Sequence, residues 1–179
     1  MSTISPPVTL RAAGLQDLPA IVAVQARSWR ESYRGLVDDD YLDALPLQKW
    51  MESWRAHLFG GRGGSFCVVA ECAGRVVGFA SAGAADDDGL DRGVGELHTI
   101  YIGSEHYGTG LGKRLLESAV EWMAGQGYTE AVLWVLAGNE RATRFYRASG
   151  WHPDGATASD AWGATTVPRV RLRLRLRPG

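Results

Sequence analysis

Two groups of residues in this sequence are spaced for chemistry. Gly108, Gly110 and Gly112 alternate with Thr109 and Leu111 ahead of an amphipathic run, and Lys113 closes the group. Glycines let the backbone aim successive N–H groups at one point, and a helix start adds a partial positive charge there. A phosphate or pyrophosphate is the natural occupant. A dinucleotide fingerprint needs glycine at 113 or 115, where Lys113 and Leu115 stand. A nucleotide-binding P-loop needs glycine at 107 and Ser or Thr at 114, where Tyr107 and Arg114 stand. Both patterns fail, which leaves another kind of phosphate cradle or a glycine turn that merely opens a helix. The second group is Glu96 and His98, set in the otherwise apolar run Glu96 to Ile102. A carboxylate buried there would rise in pKa toward the range of a general base; the alternative is a rim carboxylate facing solvent or pairing with an arginine. His98, two residues on, has the spacing to share its face.

The elements that must position these residues follow from periodicity. Val8 to Ala12 reads as a strand. Asp17 and Pro19 open a helix carrying Leu18, Ile21, Val22, Gln25 and Trp29. After Gly35 and Asp38 to Asp40, a second helix presents Leu47, Trp50, Met51, Trp54 and Leu58. The 60–64 glycine cluster is a turn. Ser65 to Cys72 and Arg75 to Ala82 form a hairpin through Ala73-Gly74. An acidic loop, Ala84 to Gly93, leads to a strand over Val94 to Ile102. A helix over Leu111 to Gln126 buries Leu115, Leu116, Ala119, Val120 and Met123, and Ala131 to Leu136 is a buried strand. Asn139 to Ser149 is a helix with Ala142, Phe145 and Tyr146 on one face, closed by Gly150. In the tail, Arg169 to Arg177 alternates arginine with Val170, Leu172, Leu174 and Leu176. That predicts a strand with a solvated charged face protecting a sheet edge, in preference to a polyanion-binding stripe. The order of elements predicts a mixed sheet.

The 179 residues suffice for one domain with a real core, and 45% hydrophobic with 22% charged content is ordinary for a globular chain. A formal charge of -1 argues against nucleic acid and anionic membranes as partners. Residues 1–8 have neither the basic nor the apolar part of a signal peptide, and no apolar run is long enough to span a bilayer. Cys67 and Cys72, five residues apart on one strand, would lie roughly 16 Å apart, too far for a disulfide. Reduced thiols and a cytoplasmic location are expected.

Ile100 through Lys113, then Asn139 through Gly150, resemble the two signature segments of the GCN5-related N-acetyltransferase (GNAT) family. The first is similar to the family's Arg/Gln-x-x-Gly-x-Gly/Ala motif, with Gly110 and Gly112 as its small residues and Tyr107 at the usual Arg or Gln position. The second, Asn139-Glu140-Arg141-Ala142-Thr143-Arg144-Phe145-Tyr146 followed by Ser149-Gly150-Trp151, is similar to Asn-x-x-Ala-x-x-Phe-Tyr-x-x-x-Gly-Phe. Ser28-Trp29-Arg30 and Tyr33-Arg34-Gly35 also look like bacterial members, and the likeness runs from about Leu10 to Pro153.

The resemblance implies an α/β fold: a single-domain GNAT-like fold with a mixed central β-sheet flanked by helices. It would be one N-acetyltransferase domain over residues 1–179 with a core over about 8–177. It implies an acetyl-CoA-dependent N-acetyltransferase, without metal, that moves an acetyl group directly to a primary amine. Acetyl-CoA (coenzyme A) would lie as co-substrate in a V-shaped opening between the strands ending near Ile102 and Leu136. Its contacts would come from Ile100, Tyr101, Ile102, Tyr107, Gly108, Thr109, Gly110, Leu111, Gly112, Lys113, Asn139 and Tyr146. A bulge in the strand holding Ile100 to Ile102 would free amides for the thioester. Glu96 matches the position of a catalytic glutamate, with a His98 or water relay as the other route. Tyr146 matches the tyrosine that protonates the departing sulfur; its alternative role is a core aromatic. Asn139 is a helix cap that in the family also touches pantetheine. Trp29, Tyr33 and the loop near Asp86 to Asp88 are candidates for the acceptor pocket; the acidic stretches Asp38 to Asp40 and Asp86 to Asp88 either draw a cationic amine or, more commonly, are solvated loop charges. The acceptor is a small-molecule or peptide amine: polyamines, amino acids, aminoglycoside-type compounds and protein N-termini stay open. The family is often dimeric, and the sequence does not decide whether this chain forms a homodimer. The alternative function is a non-catalytic coenzyme A-binding sensor or interaction module.

Overall fold

The computed structural model describes residues 6–59, 65–87 and 89–177. The expected 60–64 turn, Asp88 and the first five residues lie outside that set. Strand β1 (Val8–Ala12) leads into helix α1 (Leu18–Ser32), a short α2 (Asp39–Asp43) and α3 (Leu47–Phe59). Then come β2 (Phe66–Cys72), β3 (Arg75–Ala84), β4 (Val94–Ile102), α4 (Leu111–Gly125), β5 (Glu130–Leu136), α5 (Glu140–Ala148), β6 (His152–Trp162) and β7 (Thr165–Arg175). The seven strands form one mixed sheet in the order β1-β2-β3-β4-β5-β7-β6, in which β4 and β5 are the parallel pair.

Helices cover both faces. The apolar stripes of α1 and α3 meet Val69 and Phe79, with Leu18, Ile21, Val22 and Trp54 buried between them. On the opposite face α4 lays Leu116, Ala119 and Met123 against Ala82, Leu97 and Leu133, and Trp151 closes that core. Gly95 makes the approach of α4 possible, because a Cβ there would stand 2.8 Å from Met123 Sδ. In the β2–β3 turn Ala73 and Gly74 both take positive φ, 49° and 74°, the two left-handed residues that a tight two-residue hairpin requires.

The feature that builds the site is local to β4. Its pairing with β3 slips by one residue, from Ala82↔Leu97 to Ser81↔Thr99, so His98 is the extra residue of a β-bulge. The bulge changes the parity of the strand. Leu97 and Ile100, three apart, both join the core under α4, while Tyr101 joins the core under α1. Pairing of β4 with β5 spans Val94↔Glu130, Gly95↔Ala131 and Glu96↔Val132. Past Glu96, β4 continues on β3 to Ile102 while β5 continues on β7 to Leu136. The two strands thus splay from Glu96 onward, forming the V-shaped opening.

Two expectations need correction. The arginine strand does not guard an edge: β7 lies between β5 and β6, and the edge belongs to β6. Its alternation arose from an interior position with a polar face, where Arg171 and Arg173 bond Asp87, Asp154 and Glu130. The Asp38 to Asp40 stretch is not a free acidic loop. Asp38 accepts from Asp40 N–H at the start of α2 and from Ala164 N–H, and Asp39 pairs with Arg34.

Asp17 ties β1 to α1. Its carboxylate accepts two bonds from Arg11, at 2.7 and 2.9 Å, and one from Gly14 N–H at 2.7 Å. The Arg11 bonds hold the Asp17 pKa below the ordinary aspartate value against the opposing effect of burial. A depressed folded pKa supplies stability that is complete above the unfolded value and lost as pH falls through the folded one. Asp17→Asn is therefore expected to lower stability at pH 7 by about 1–2 kcal/mol, a figure discounted for the exposure of Arg11. In urea melts the gap to wild type should close as pH drops below about 4; a gap independent of pH would contradict this.

Candidate active site

The opening between β4 and β5 holds two adjacent cavities that share lining residues. The first, of about 370 Å³, is a groove lined by Ile100, Tyr101, Ile102, Tyr107, Gly108, Gly110, Gly112, Lys113 and Tyr146. The second, of about 270 Å³, is a chamber lined by Glu96, His98, Trp29, Tyr33, Trp134, Asn139, Asp160, Trp162 and Arg169. Both are also lined by Ser32, Ile100, Tyr101, Arg141, Ala142 and Tyr146.

The groove ends on the start of α4. Gly108 and Gly110 take φ of 74° and 83°, conformations that side chains resist, and Gly110 is the N-cap. The first bond of the new helix runs from Arg114 N–H to Gly110 C=O. The N–H groups of Leu111, Gly112 and Lys113 therefore precede any intrahelical acceptor, as at every helix start. Added Cβ atoms at Gly108 or Gly110 would meet no atom within 4 Å, whereas one at Gly112 would reach 3.6 Å from the Phe145 ring and 3.7 Å from Ile102. Leu111 itself is buried in the core, and Thr109 Oγ1 is spent on His106 C=O at 2.7 Å. Neither of those two residues is part of the groove's lining. Arg114 turns away to bond Val8 C=O at 3.1 Å, while Lys113 lies 3.6 Å from Glu117.

On the chamber side the bulge sets Glu96 and His98 together. Glu96 Oε1 lies 3.8 Å from His98 Nδ1, and the Glu96 side chain is 16% exposed. The His98 ring stands edge-on to His57 of α3, with centroids 5.3 Å apart. Burial, with His98 nearby, lowers the His57 pKa, so that ring is neutral at pH 7. Trp29 and Tyr33 form the opposite wall together with Trp162, whose ring centre lies 4.8 Å from that of Trp29. Trp29 Nε1–H donates to the Tyr101 hydroxyl at 2.9 Å, and the Tyr33 and Tyr101 hydroxyls stand 3.4 Å apart.

Tyr146 is the meeting point. It comes from the buried face of α5, is 9% exposed, and lines both cavities. Burial raises its pKa well above the ordinary phenol value, with a smaller contribution from Tyr33. The phenol thus keeps its proton at any physiological pH. Asn139 accepts from Ala142 N–H at 3.2 Å as the cap of α5 and lines the chamber, not the groove.

Several lining residues had no assigned role in the sequence reading. Arg141 lies inside the second signature segment; its guanidinium sits 4.1 Å over the Tyr107 ring and donates to Ser32 Oγ at 2.8 Å, joining α5 to α1 and to the glycine loop. Trp134, Asp160, Trp162 and Arg169 come from β5, β6 and β7, and only long-range pairing brings them to the chamber. The loop acid Asp87 accepts from Trp134 Nε1–H at 3.0 Å and from Arg171 at 3.1 Å. It buttresses the chamber wall from behind.

Comparison with known proteins agrees with this arrangement. Residues 24–151 match the family described as Acetyltransferase (GNAT) family. An uncharacterized N-acetyltransferase, YuaI, of Bacillus subtilis is 32% identical over 143 residues, covering 79% of this chain and 78% of the relative. An uncharacterized N-acetyltransferase of Archaeoglobus fulgidus is 35% identical, covering 76% and 88%. The crystal structure of PaiA N-acetyltransferase from Thermoplasma acidophilum, a complex with coenzyme A, superposes with a TM-score of 0.75 at 20% identity, covering 94% of this chain and 99% of that one. The chain belongs to the GNAT family and is an N-acetyltransferase.

The Tyr101 hydroxyl is the acceptor of the buried Trp29 N–H. Tyr101→Phe removes it without changing the ring, and should cost about 1–3 kcal/mol of stability in urea unfolding. An unchanged unfolding midpoint would show that the chamber wall does not depend on this bond.

Proposed function

We propose that this chain transfers the acetyl group of acetyl-CoA directly to a primary amine, with Glu96 as base and Tyr146 as acid. The observation that carries the reading is that Tyr146, a buried phenol, lines both the groove and the chamber, while the Tyr101 hydroxyl, which lines both as well, is occupied by Trp29. When bound, acetyl-CoA supplies an activated acyl thioester.

The residues fit that group. The unpaired N–H groups of Leu111 to Lys113 suit a diphosphate, and Gly108 and Gly110 leave open space beside them. Gly112 lines the groove beside Phe145 and Ile102. The edge of Ile100 to Ile102 that β5 has abandoned offers main-chain donors and acceptors to an extended, amide-bearing arm. Tyr107 contributes its backbone and the ring on which Arg141 rests. Asn139 orients α5 through its cap and thereby aims Tyr146.

In the chamber, Glu96 takes a proton from the acceptor amine, directly or through His98 at 3.8 Å. Main-chain donors beside the bulge would stabilise the negative charge that develops on the acyl oxygen. Tyr146 gives its proton to the departing sulfur; burial keeps the phenol protonated until then. Trp29 and Tyr33 wall the acceptor side. The continuous sheet from β1 to β7 supports a single N-acetyltransferase domain over residues 1–179. The two free thiols, Cys67 and Cys72, fit a reducing, cytoplasmic setting.

Glu96→Gln should lower turnover by about 10²–10⁴-fold at neutral pH while coenzyme A affinity is retained. Tyr146→Phe keeps the packing, and should lower kcat by a similar order without unfolding the protein. Steady-state thiol release from acetyl-CoA, read beside calorimetric titration of coenzyme A, separates the steps. Wild-type turnover in either variant would remove that residue from its role, and binding without turnover on any amine would instead support a sensor.

A further inference from the structure

The arginines of β7 divide into two kinds. Arg171 bonds Asp87 at 3.1 Å and Asp154 at 2.8 Å, and Arg173 bonds Asp154 at 3.1 Å and Glu130 at 2.6 Å. Their donors are committed to this chain's own carboxylates. Arg169 lines the chamber and has one ion pair among the described residues, with Asp160. Its Nε is buried with no hydrogen-bond partner among the described residues, and its neighbour Asp160 stands 3.5 Å from Nη1. The guanidinium lies over the Trp134 ring, 4.5 Å from its centre. A flat guanidinium held by stacking presents its remaining donors in a fixed fork, the geometry that a carboxylate fits. That buried Nε is out of a ligand's reach, so a ligand would meet the terminal nitrogens of a side chain that is 30% exposed.

The chamber's charges are balanced. Glu96 and Asp160 oppose Arg169 and Arg141, within walls that include Trp29 and Trp162. A polyamine would bring a second ammonium toward two guanidinium groups. A protein N-terminus would offer a neutral amide, which bonds a guanidinium less strongly than a carboxylate does. A chamber of about 270 Å³ suits a molecule of amino-acid size.

We propose that the acceptor is a small zwitterion of the amino-acid type, its carboxylate or equivalent oxyanion held by Arg169 and its amine turned toward Glu96. This rests on the acetyltransferase reading above. In the transfer, the C–S bond of the thioester breaks as the C–N bond forms. The ammonium loses two protons. One passes to Glu96 and on to solvent, and the other balances the proton that Tyr146 hands to sulfur. The oxyanion on Arg169 takes no part in the bond exchange; it fixes the distance and angle of the amine.

The test measures kcat/KM of the full chain with acetyl-CoA on the twenty standard amino acids, their C-terminal amides and spermidine. At least one amino acid should exceed its own amide by about 10- to 100-fold, the range expected for a charge-assisted bond to a fixed guanidinium. Arg169→Gln, checked for an unchanged melting temperature, should collapse that ratio to within about 3-fold. The wild-type ratio alone decides the matter if the variant does not fold. Amides or spermidine used as well as the acids, no acid used by protein that binds coenzyme A, or a folded variant with its ratio intact would each overturn the proposal. Failure to bind coenzyme A would instead overturn the acetyltransferase reading.

Discussion

Where β4 leaves β5, the backbone of Ile100 to Ile102 keeps its bonds to β3 and loses its neighbour on the other side. Main-chain amides and carbonyls inside a protein need partners, so such an edge is costly unless water or a ligand meets it. The bulge at His98 accompanies this parting. An extra residue bends the strand and increases its twist, turning β4 away from β5 within a few residues of their last shared pair, Glu96↔Val132. The groove, the chamber and the hydroxyl between them all follow from that divergence.

The same extra residue sorts the side chains. In a regular strand Leu97 and Ile100 would point to opposite faces. With His98 inserted, both enter the core under α4, and Glu96 and His98 are left on the side facing α1 and α3. One irregularity therefore frees main-chain groups at the groove and places a carboxylate at the chamber. The surrounding packing holds it in place: Gly95 lets Met123 press on β4 just before the bulge, and the Trp29–Tyr101 bond fixes the strand just after it.

Much of this could be read from the sequence where the signal was local. The hairpin at Ala73-Gly74 needs two left-handed residues and has them; β4 was bounded at Val94 and Ile102, and α4 began at Leu111 as its glycines required. Of the residues drawn from the resemblance, Glu96 lines the chamber, Gly108, Gly110 and Gly112 line the groove and Tyr146 lines both, while Thr109 and Leu111 line neither. What could not be read was long-range. The arginine alternation of β7 has the same period on an edge or in the interior, and only its pairing with both β5 and β6 tells them apart. β6 is mostly exposed and gave no apolar period, so Asp160 and Trp162 could not be placed in the chamber. Asn139 has a cap role that is local, and a position on the chamber side that depends on how α5 docks.

The central claim is that the groove delivers a thioester to Tyr146. A crystal structure of the protein with acetyl-CoA tests it most directly. The account predicts the diphosphate on the N–H groups of Leu111 to Lys113, the arm along Ile100 to Ile102, and the sulfur within about 3.5 Å of the Tyr146 hydroxyl. A diphosphate bound away from the start of α4, or a sulfur out of reach of that hydroxyl, would contradict it.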